Sequence, residues 1–176
     1  ILSFGRDYIR AAQETRTLEV NSPTVEQNGD TLLGWPDYQR GRVAVIFATL
    51  FASPARRRTG DWERLAYPDS DFASARRLYW TQLETYQRLA DSHPDKFSLL
   101  ASRADVERIL RHWHSQPDNH PVGLLPLMEG ADAIRAPSDL PAWWDFGLRV
   151  IGPAWTGTRY CGGTHEPGPL TDEGRA

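Results

Sequence analysis

The chain has 176 residues, with 20 Lys and Arg against 23 Asp and Glu, so its formal net charge is −3. Nucleic-acid-binding proteins usually carry a concentrated basic surface, so this charge balance predicts no nucleic-acid partner. The sequence contains no apolar run of about 18 residues, the length that a membrane-spanning helix needs, so no membrane span is expected. Its single cysteine, Cys161, excludes an internal disulfide.

The first part of the sequence predicts one buried strand among loops. Residues 1–16 are expected to pass from loop into a weak helix, and residues 17–40 are rich in Asn, Gly and Pro, which favours turns. Residues 43–51 are apolar and partly β-branched, which predicts a strand buried on both faces, as in parallel sheets. Residues 52–70 are expected to form a loop.

Helices and strands then alternate. Residues 71–92 carry an apolar stripe at helical spacing, and Ser102 with Asp105 reads as the capping pattern of a second helix that runs to about Trp113. Strands are predicted over 97–101, 122–128 and 148–152, although Pro126 weakens the middle one because proline cannot donate to a ladder.

The C-terminal part is predicted to be mostly loop. Ser138 is expected to cap a short helix that carries Trp143 and Trp144, and residues 153–169 form a loop rich in Gly and Pro. Residues 170–176 look like the first turn of a further helix.

This alternation predicts an α/β fold with a parallel sheet. Either a doubly wound sheet or a partial (β/α)8 barrel fits the order, and a whole barrel takes about 250 residues, so the chain would supply only about half of one. The sequence starts with Ile1, and its only methionine is Met128. We therefore expect an interior piece of a longer protein that forms one partial domain over residues 1–176. A cytoplasmic location is favoured, since one cysteine and no signal peptide are visible.

Reactive groups in parallel α/β folds cluster after the carboxyl ends of strands. Three segments qualify. Glu129 directly follows an apolar strand and stands beside a glycine, so it could bind a metal, act as a base, or face solvent. Trp155 follows the last strand and is either a packed aromatic or part of a site. The loop with Arg56, Arg57, Arg58, Asp61 and Trp62 is most simply a solvated charge run.

The five histidines do not form a recognisable metal set. His112 and His114 lie two residues apart in a predicted helix, where their side chains diverge. His93 and Asp95 stand at the wrong end of a parallel layer, and two further histidines stand alone in loops: His120 and His165.

Longer strings of the sequence resemble the membrane dipeptidase (renal dipeptidase) family, peptidase family M19. The similarity lies in PLMEGADAI from Pro126, in FGLRVIG from Phe146 and in GPLTDEG from Gly168. The run YQRGRV from Tyr38 and the run SFGRD from Ser3 are also similar to members of the family, in the same order along the chain.

This resemblance implies the N-terminal half of a (β/α)8 barrel of the amidohydrolase type with two Zn²⁺ ions. Glu129 matches the family's carboxylate that bridges the two metals, whose shared hydroxide hydrolyses the peptide bond of a dipeptide. A substrate-contacting histidine of the mammalian enzymes falls at Trp155. The family's His-x-Asp pair would precede Ile1, and its later zinc histidines, an aspartate and an arginine would follow Ala176. The parent enzyme is expected to be a homo-oligomer.

One bridging carboxylate is too few ligands for zinc, which takes three or four from a protein. We therefore expect the 176-residue chain alone to retain no zinc and to be inactive, while the parent is a zinc dipeptidase. Two alternatives stay open: a non-catalytic half-barrel relative used for binding or assembly, and an amidohydrolase that acts on a non-peptide amide.

Overall fold

The computed structural model of the protein describes residues 6–57, 65–115 and 118–176. Several predicted features lie outside the described residues. These are the start of the SFGRD string, Arg58, Asp61 and Trp62.

The described elements alternate between helices and strands, as an α/β fold requires. The helices are α1 (Ala12–Leu18), α2 (Pro23–Asn28), α3 (Trp35–Arg40), α4 (Phe72–Ser92), α5 (Arg103–Ser115), α6 (Leu140–Asp145) and α7 (Asp172–Arg175). The strands are β1 (Val45–Phe51), β2 (Ser53–Pro54), β3 (Ala66–Tyr67), β4 (Phe97–Leu99), β5 (Val122–Glu129) and β6 (Val150–Gly152). Two short 3-10 turns cover Ala55–Arg57 and Pro137–Asp139.

The main sheet has the order β1-β5-β4, and β6 also pairs with β5. β5 pairs in parallel with β4 over residues 122–124 and with β6 over residues 127–129. Pro126 lies between these two ladders, where its missing N–H costs no ladder bond, and its carbonyl accepts from Arg149 N at 3.1 Å. The prediction of a strand here is confirmed. A second, two-stranded parallel sheet pairs β2 with β3.

Three expectations about local structure were wrong. Residues 17–40 contain α2 and α3, whose first turns carry Pro23 and Pro36; proline favours the start of a helix as well as a turn. The predicted loop over 52–70 contains β2 and β3. Ser138 does not cap α6, which has no side-chain cap.

The expectation that β1 is buried on both faces is also wrong. Its C-terminal half is buried, but Phe47 is 61% exposed. β1 stands at one end of the described sheet, so a side chain there lacks a neighbour on one side.

The chain divides into two compact units. Unit 1 contains Ala48–Glu84 and Pro126–Ala176, and unit 2 contains Leu2–Phe47 and Thr85–Leu125. Apolar side chains fill the centre of each unit. Those of unit 1 include Leu50, Leu83, Met128 and Trp143, and those of unit 2 include Phe97, Leu100, Ile109 and Val122.

The helix α5 begins with the predicted capping pattern. Asp105 N donates to Ser102 Oγ at 3.2 Å, and the Asp105 carboxylate accepts from Ala101 N, one residue earlier than in a standard capping box. Among the described residues, no helix combines the length and the apolarity that crossing a bilayer requires.

Within unit 1, a buried amide on α4 holds the end of β1. Gln82 is 2% exposed; its Nε2 donates to Phe51 O at 2.7 Å and its Oε1 accepts from Phe51 N at 2.9 Å. A buried amide with both bonds made is stabilising, whereas the loss of either bond leaves a desolvated group.

Gln82→Met is expected to lower the free energy of unfolding by about 1–3 kcal/mol, because it removes the two hydrogen bonds to Phe51 and the one from Nε2 to Leu78 O while keeping the side-chain volume. Urea unfolding followed by circular dichroism measures this. Gln13→Met, at an exposed position of α1, is the matched control and should change stability by less than about 0.5 kcal/mol. Equal stabilities of the two variants would contradict the structural importance of this amide.

Candidate functional site

Three strands of the main sheet end within unit 1, and polar groups gather at their carboxyl ends. β1 ends at Phe51, β5 at Glu129 and β6 at Gly152. The Tyr79 hydroxyl, on α4, donates to Glu129 O at 2.5 Å and lies 3.3 Å from Ala52 O. Burial raises the pKa of Tyr79, so the hydroxyl keeps its proton and remains a donor to the strand end.

The backbone turns sharply after Glu129. Gly130 has φ +86°, a left-handed conformation that side chains disfavour, and a Cβ there would lie 3.1 Å from the Tyr79 hydroxyl. Gly130 N donates to Gly152 O at 2.8 Å, which ties the turn to the end of β6. The left-handed backbone therefore favours glycine at this position, and a Cβ would crowd the Tyr79 hydroxyl.

The Glu129 carboxylate stands at this edge without a structural partner. The residue is half-buried, and within residues 6–57, 65–115 and 118–176 its carboxylate forms no hydrogen bond or ion pair. Its backbone carbonyl accepts from the Tyr79 hydroxyl, and the residue pairs with Gly152 in the ladder between β5 and β6. A carboxylate held on a rigid strand end and left unpaired is available to bind a ligand.

A second carboxylate, Asp132, has a structural function that the sequence did not reveal. It is 3% exposed and accepts from Tyr67 Oη at 2.6 Å and from Arg159 N at 2.8 Å. Burial raises the pKa of Tyr67, and the hydrogen bond to Asp132 raises it further, so Tyr67 remains protonated. Asp132 thus joins β3 to the loop after β6. Its place three residues after Glu129 was visible in the sequence, but its partners were not.

Trp155 lies on the loop that follows β6. Its ring meets Phe51 edge-on with centroids 5.2 Å apart, and His165 edge-on at 5.1 Å. Its carbonyl accepts from Thr164 N at 2.9 Å. Phe51 ends β1, so the structure brings Trp155 to the same group of strand ends within unit 1, and it adds His165, which stood alone in the sequence.

The arginines Arg56 and Arg57 are not a solvated charge run. Both oxygens of Glu166 accept from Arg56, at 3.0 Å each, and Arg57 Nε donates to Glu166 at 2.9 Å. Arg56 also donates to Gly157 O at 3.0 Å and pairs with Asp69. This network fixes the loop that carries Trp155 and His165. The hydrogen bond from Arg56, followed by that from Arg57, lowers the pKa of Glu166 to about 2.

The described side chains do not form a cluster of metal ligands. In the part of the chain that the structure describes, no group of three or more His, Cys, Asp or Glu side chains could hold a metal ion. Glu129 alone offers one carboxylate, and zinc takes three or four protein ligands. The described residues by themselves therefore do not complete a zinc site.

Comparison with solved structures reveals a shared fold. The chain is similar to a dipeptidase described as a metallopeptidase of family M19 (TM-score 0.65, 20% identity, 96% of this chain and 52% of that one). It is also similar to a metallopeptidase from Rhodobacter sphaeroides liganded with a phosphinate mimic of the dipeptide L-Ala-D-Ala (TM-score 0.63, 20% identity, 96% of this chain and 53% of that one). A third similar structure is the probable dipeptidase PvdM from Pseudomonas aeruginosa (TM-score 0.64, 16% identity, 86% of this chain and 38% of that one).

These likenesses establish an α/β fold with a parallel sheet, as in the M19 dipeptidase structures. The chain spans about half the length, or less, of each of these structures. No protein-family model matches the chain, and no curated protein matches it.

Glu166→Gln is expected to reduce stability above pH about 4.5 by about 1 kcal/mol, because exposed ion-pair networks contribute modestly. The folded pKa of Glu166 lies below its usual 4.5, so its contribution is present above pH 4.5 and is lost as pH falls towards about 2. Urea unfolding at pH 6, 4 and 2.5 should show the variant's deficit shrinking with acid. Glu26→Gln, an exposed carboxylate on α2, is the control. A deficit that stays constant with pH would contradict this assignment.

Gly130→Ala is expected to destabilise the protein by about 2 kcal/mol or more, because the left-handed backbone and the Tyr79 hydroxyl both oppose a Cβ. Gly147→Ala separates the two effects, since Gly147 has φ +112° but no atom within 4 Å of a built Cβ. Gly130→Ala should therefore unfold at a lower temperature than Gly147→Ala. The reverse order would argue against the tight contact with Tyr79.

Proposed function

We propose that this chain is part of a zinc-dependent dipeptidase, in which Glu129 is a metal ligand and the catalytic carboxylate. The observation that carries the proposal is the Glu129 side chain itself. It is placed by a strand end, its backbone is anchored by Tyr79, and its carboxylate has no structural partner among the described residues. The fold shared with the metallo dipeptidase structures supports the reaction class.

The proposed architecture is the N-terminal half of a (β/α)8 barrel. Alternating strands and helices with parallel ladders support it. The described sheet has β5 between β1 and β4, whereas the strands of a sequentially wound barrel follow chain order. The barrel therefore rests on the order of elements and on the resemblance of the motifs, not on the strand order.

The proposed substrate is a dipeptide of the type L-Xaa-L/D-Xaa. One structure with this fold holds a phosphinate mimic of L-Ala-D-Ala, which supports the class. Trp155 is the residue of this chain that we assign to substrate contact, because it lies with Phe51 and His165 where the strands of unit 1 end.

The metal centre needs donors beyond those described. Zinc supplies Lewis-acid chemistry when bound, but a single carboxylate does not hold it usefully. We infer that the other ligands lie outside the described residues, and that the 176-residue chain alone does not hydrolyse dipeptides. Zinc-dependent cleavage by the purified chain alone would overturn this inference.

Glu129→Gln in the complete encoded protein is expected to lower kcat for dipeptide hydrolysis on the order of 100-fold or more, with reduced bound zinc, while thermal unfolding changes little. Activity, zinc content by atomic absorption, and unfolding temperature are measured together. Glu107→Gln, an exposed carboxylate on α5, is the matched control and should keep full activity.

Two results would point elsewhere. Dipeptidase activity that survives Glu129→Gln would remove this residue from the site. Absence of activity in the unaltered complete protein would favour a non-catalytic relative, and activity only on non-peptide amides would favour another amidohydrolase.

A further inference from the structure

We propose that unit 2 contains a second binding site, for a free amino acid with a flat apolar side chain. The site is a cavity of about 450 Å³ beside α3, the end of α5 and the turn that precedes β5. This volume falls within the range of small-molecule sites. Glu129 belongs to unit 1, so this inference does not depend on the proposed dipeptidase.

Fixed aromatic rings line the cavity. Trp35 Nε1 donates to His120 O at 3.0 Å, and Trp113 Nε1 donates to Pro121 O at 2.8 Å. The His120 ring stacks on Trp113 with centroids 4.3 Å apart and planes 27° apart. Trp113 is 7% exposed and covered by His120, so it forms the floor of the cavity. Trp35 is partly exposed and anchored to a backbone carbonyl, so it offers a rigid surface on which a flat ring can stack with little loss of conformational entropy.

The backbone of His120 is held by two hydrogen bonds, but one nitrogen of its ring has no partner among the described residues. Gln39 Nε2 donates to its carbonyl and Gln39 Oε1 accepts from its N–H, each at 2.9 Å. The residue is 4% exposed, yet its Nδ1 has no hydrogen-bond partner among the described residues. Buried polar atoms are nearly always paired in folded proteins, so this nitrogen needs a partner, and we assign that partner to the molecule bound in the cavity.

Two opposite charges at the cavity suit a zwitterion. Arg42 and Asp118 both line it, and within the described ranges neither forms an ion pair. By contrast, neighbouring Arg40 pairs with Asp37. A free guanidinium binds a carboxylate in a fork, and a free carboxylate binds an ammonium group. An α-amino acid carries both groups beside its side chain.

Two residues that line the cavity have a left-handed backbone. Arg42 has φ +52° and Asn119 has φ +60°. At Arg42 this conformation ends α3, because Arg42 N donates to Gln39 O and Val43 N donates to Tyr38 O, as at many helix C-termini. Glycine adopts the same conformation at no steric cost, so Arg42 is a residue at which binding and stability can be separated.

The test is a titration of the purified, ¹⁵N-labelled chain with L-phenylalanine, followed by the indole N–H signals of its seven tryptophans. We expect saturable shifts confined mainly to Trp35 and Trp113, with Kd on the order of 1 mM. Phenylacetate lacks the ammonium group, phenethylamine lacks the carboxylate, and L-alanine lacks the ring. Each should bind at least fivefold more weakly.

Arg42→Gly is the decisive variant. Glycine accepts the left-handed backbone, so the unfolding temperature should stay the same or rise, while affinity for L-phenylalanine falls at least fivefold. Asn21→Gly is the matched control, since Asn21 has φ +61° in the same unit but does not line the cavity. It should leave affinity unchanged.

The inference fails if L-phenylalanine causes no saturable shift up to 20 mM, or if the truncated ligands bind as tightly. It also fails if Arg42→Gly binds like the unaltered chain. Because binding is read directly from the indole signals, none of these results depends on dipeptide hydrolysis.

Discussion

The described part of unit 1 depends on polar atoms that one helix presents to the ends of the strands. Tyr79 and Gln82 lie three residues apart on the buried face of α4, and each would be costly to bury without a partner. Both find partners in backbone groups, Gln82 at the end of β1 and Tyr79 at the end of β5. These polar groups of α4 and of the strand ends therefore gain their hydrogen-bond partners in the same step, when the helix packs against the strands.

This arrangement separates structural bonding from chemistry at the candidate site. The strand end is held through its backbone carbonyl, and the Glu129 carboxylate forms no hydrogen bond or ion pair with the described residues. Asp132 carries the structural bonds instead, to Tyr67 and to the loop after β6. Two carboxylates three residues apart thus have different environments, one buried and paired and the other half-buried without a described partner.

Local patterns predicted the elements that depend on local spacing. The apolar stripes of α4 and α5 and the apolar runs of β1 and β5 were located to within two residues at each end. The prediction of turns over residues 17–40 was wrong. Ser22 with Pro23, and Gly34 with Pro36, are found at the starts of helices as well as in turns.

Contacts between distant residues could not be predicted from spacing. Arg56 and Glu166 are 110 residues apart in sequence, Tyr67 and Asp132 are 65 apart, and Gln39 and His120 are 81 apart. Each of these pairs changes the interpretation of a residue that looked solvated or solitary. Glu129 became a candidate without them, because its position after an apolar strand is itself a local feature.

The loop after β6 is attached at both of its ends. Near its first end, Arg159 N donates to the Asp132 carboxylate at 2.8 Å. Near its second end, Thr171 Oγ donates to Arg159 O at 2.6 Å. Between these two points, Arg56 donates to Glu166 at 3.0 Å. Thr164 N and Gly163 N add two backbone bonds, to Trp155 O at 2.9 Å and to Glu166 O at 3.0 Å. None of these bonds uses the side chain of His165, which is exposed. Substituting position 165 alone would therefore vary the rim of the candidate site while the loop keeps its hydrogen bonds.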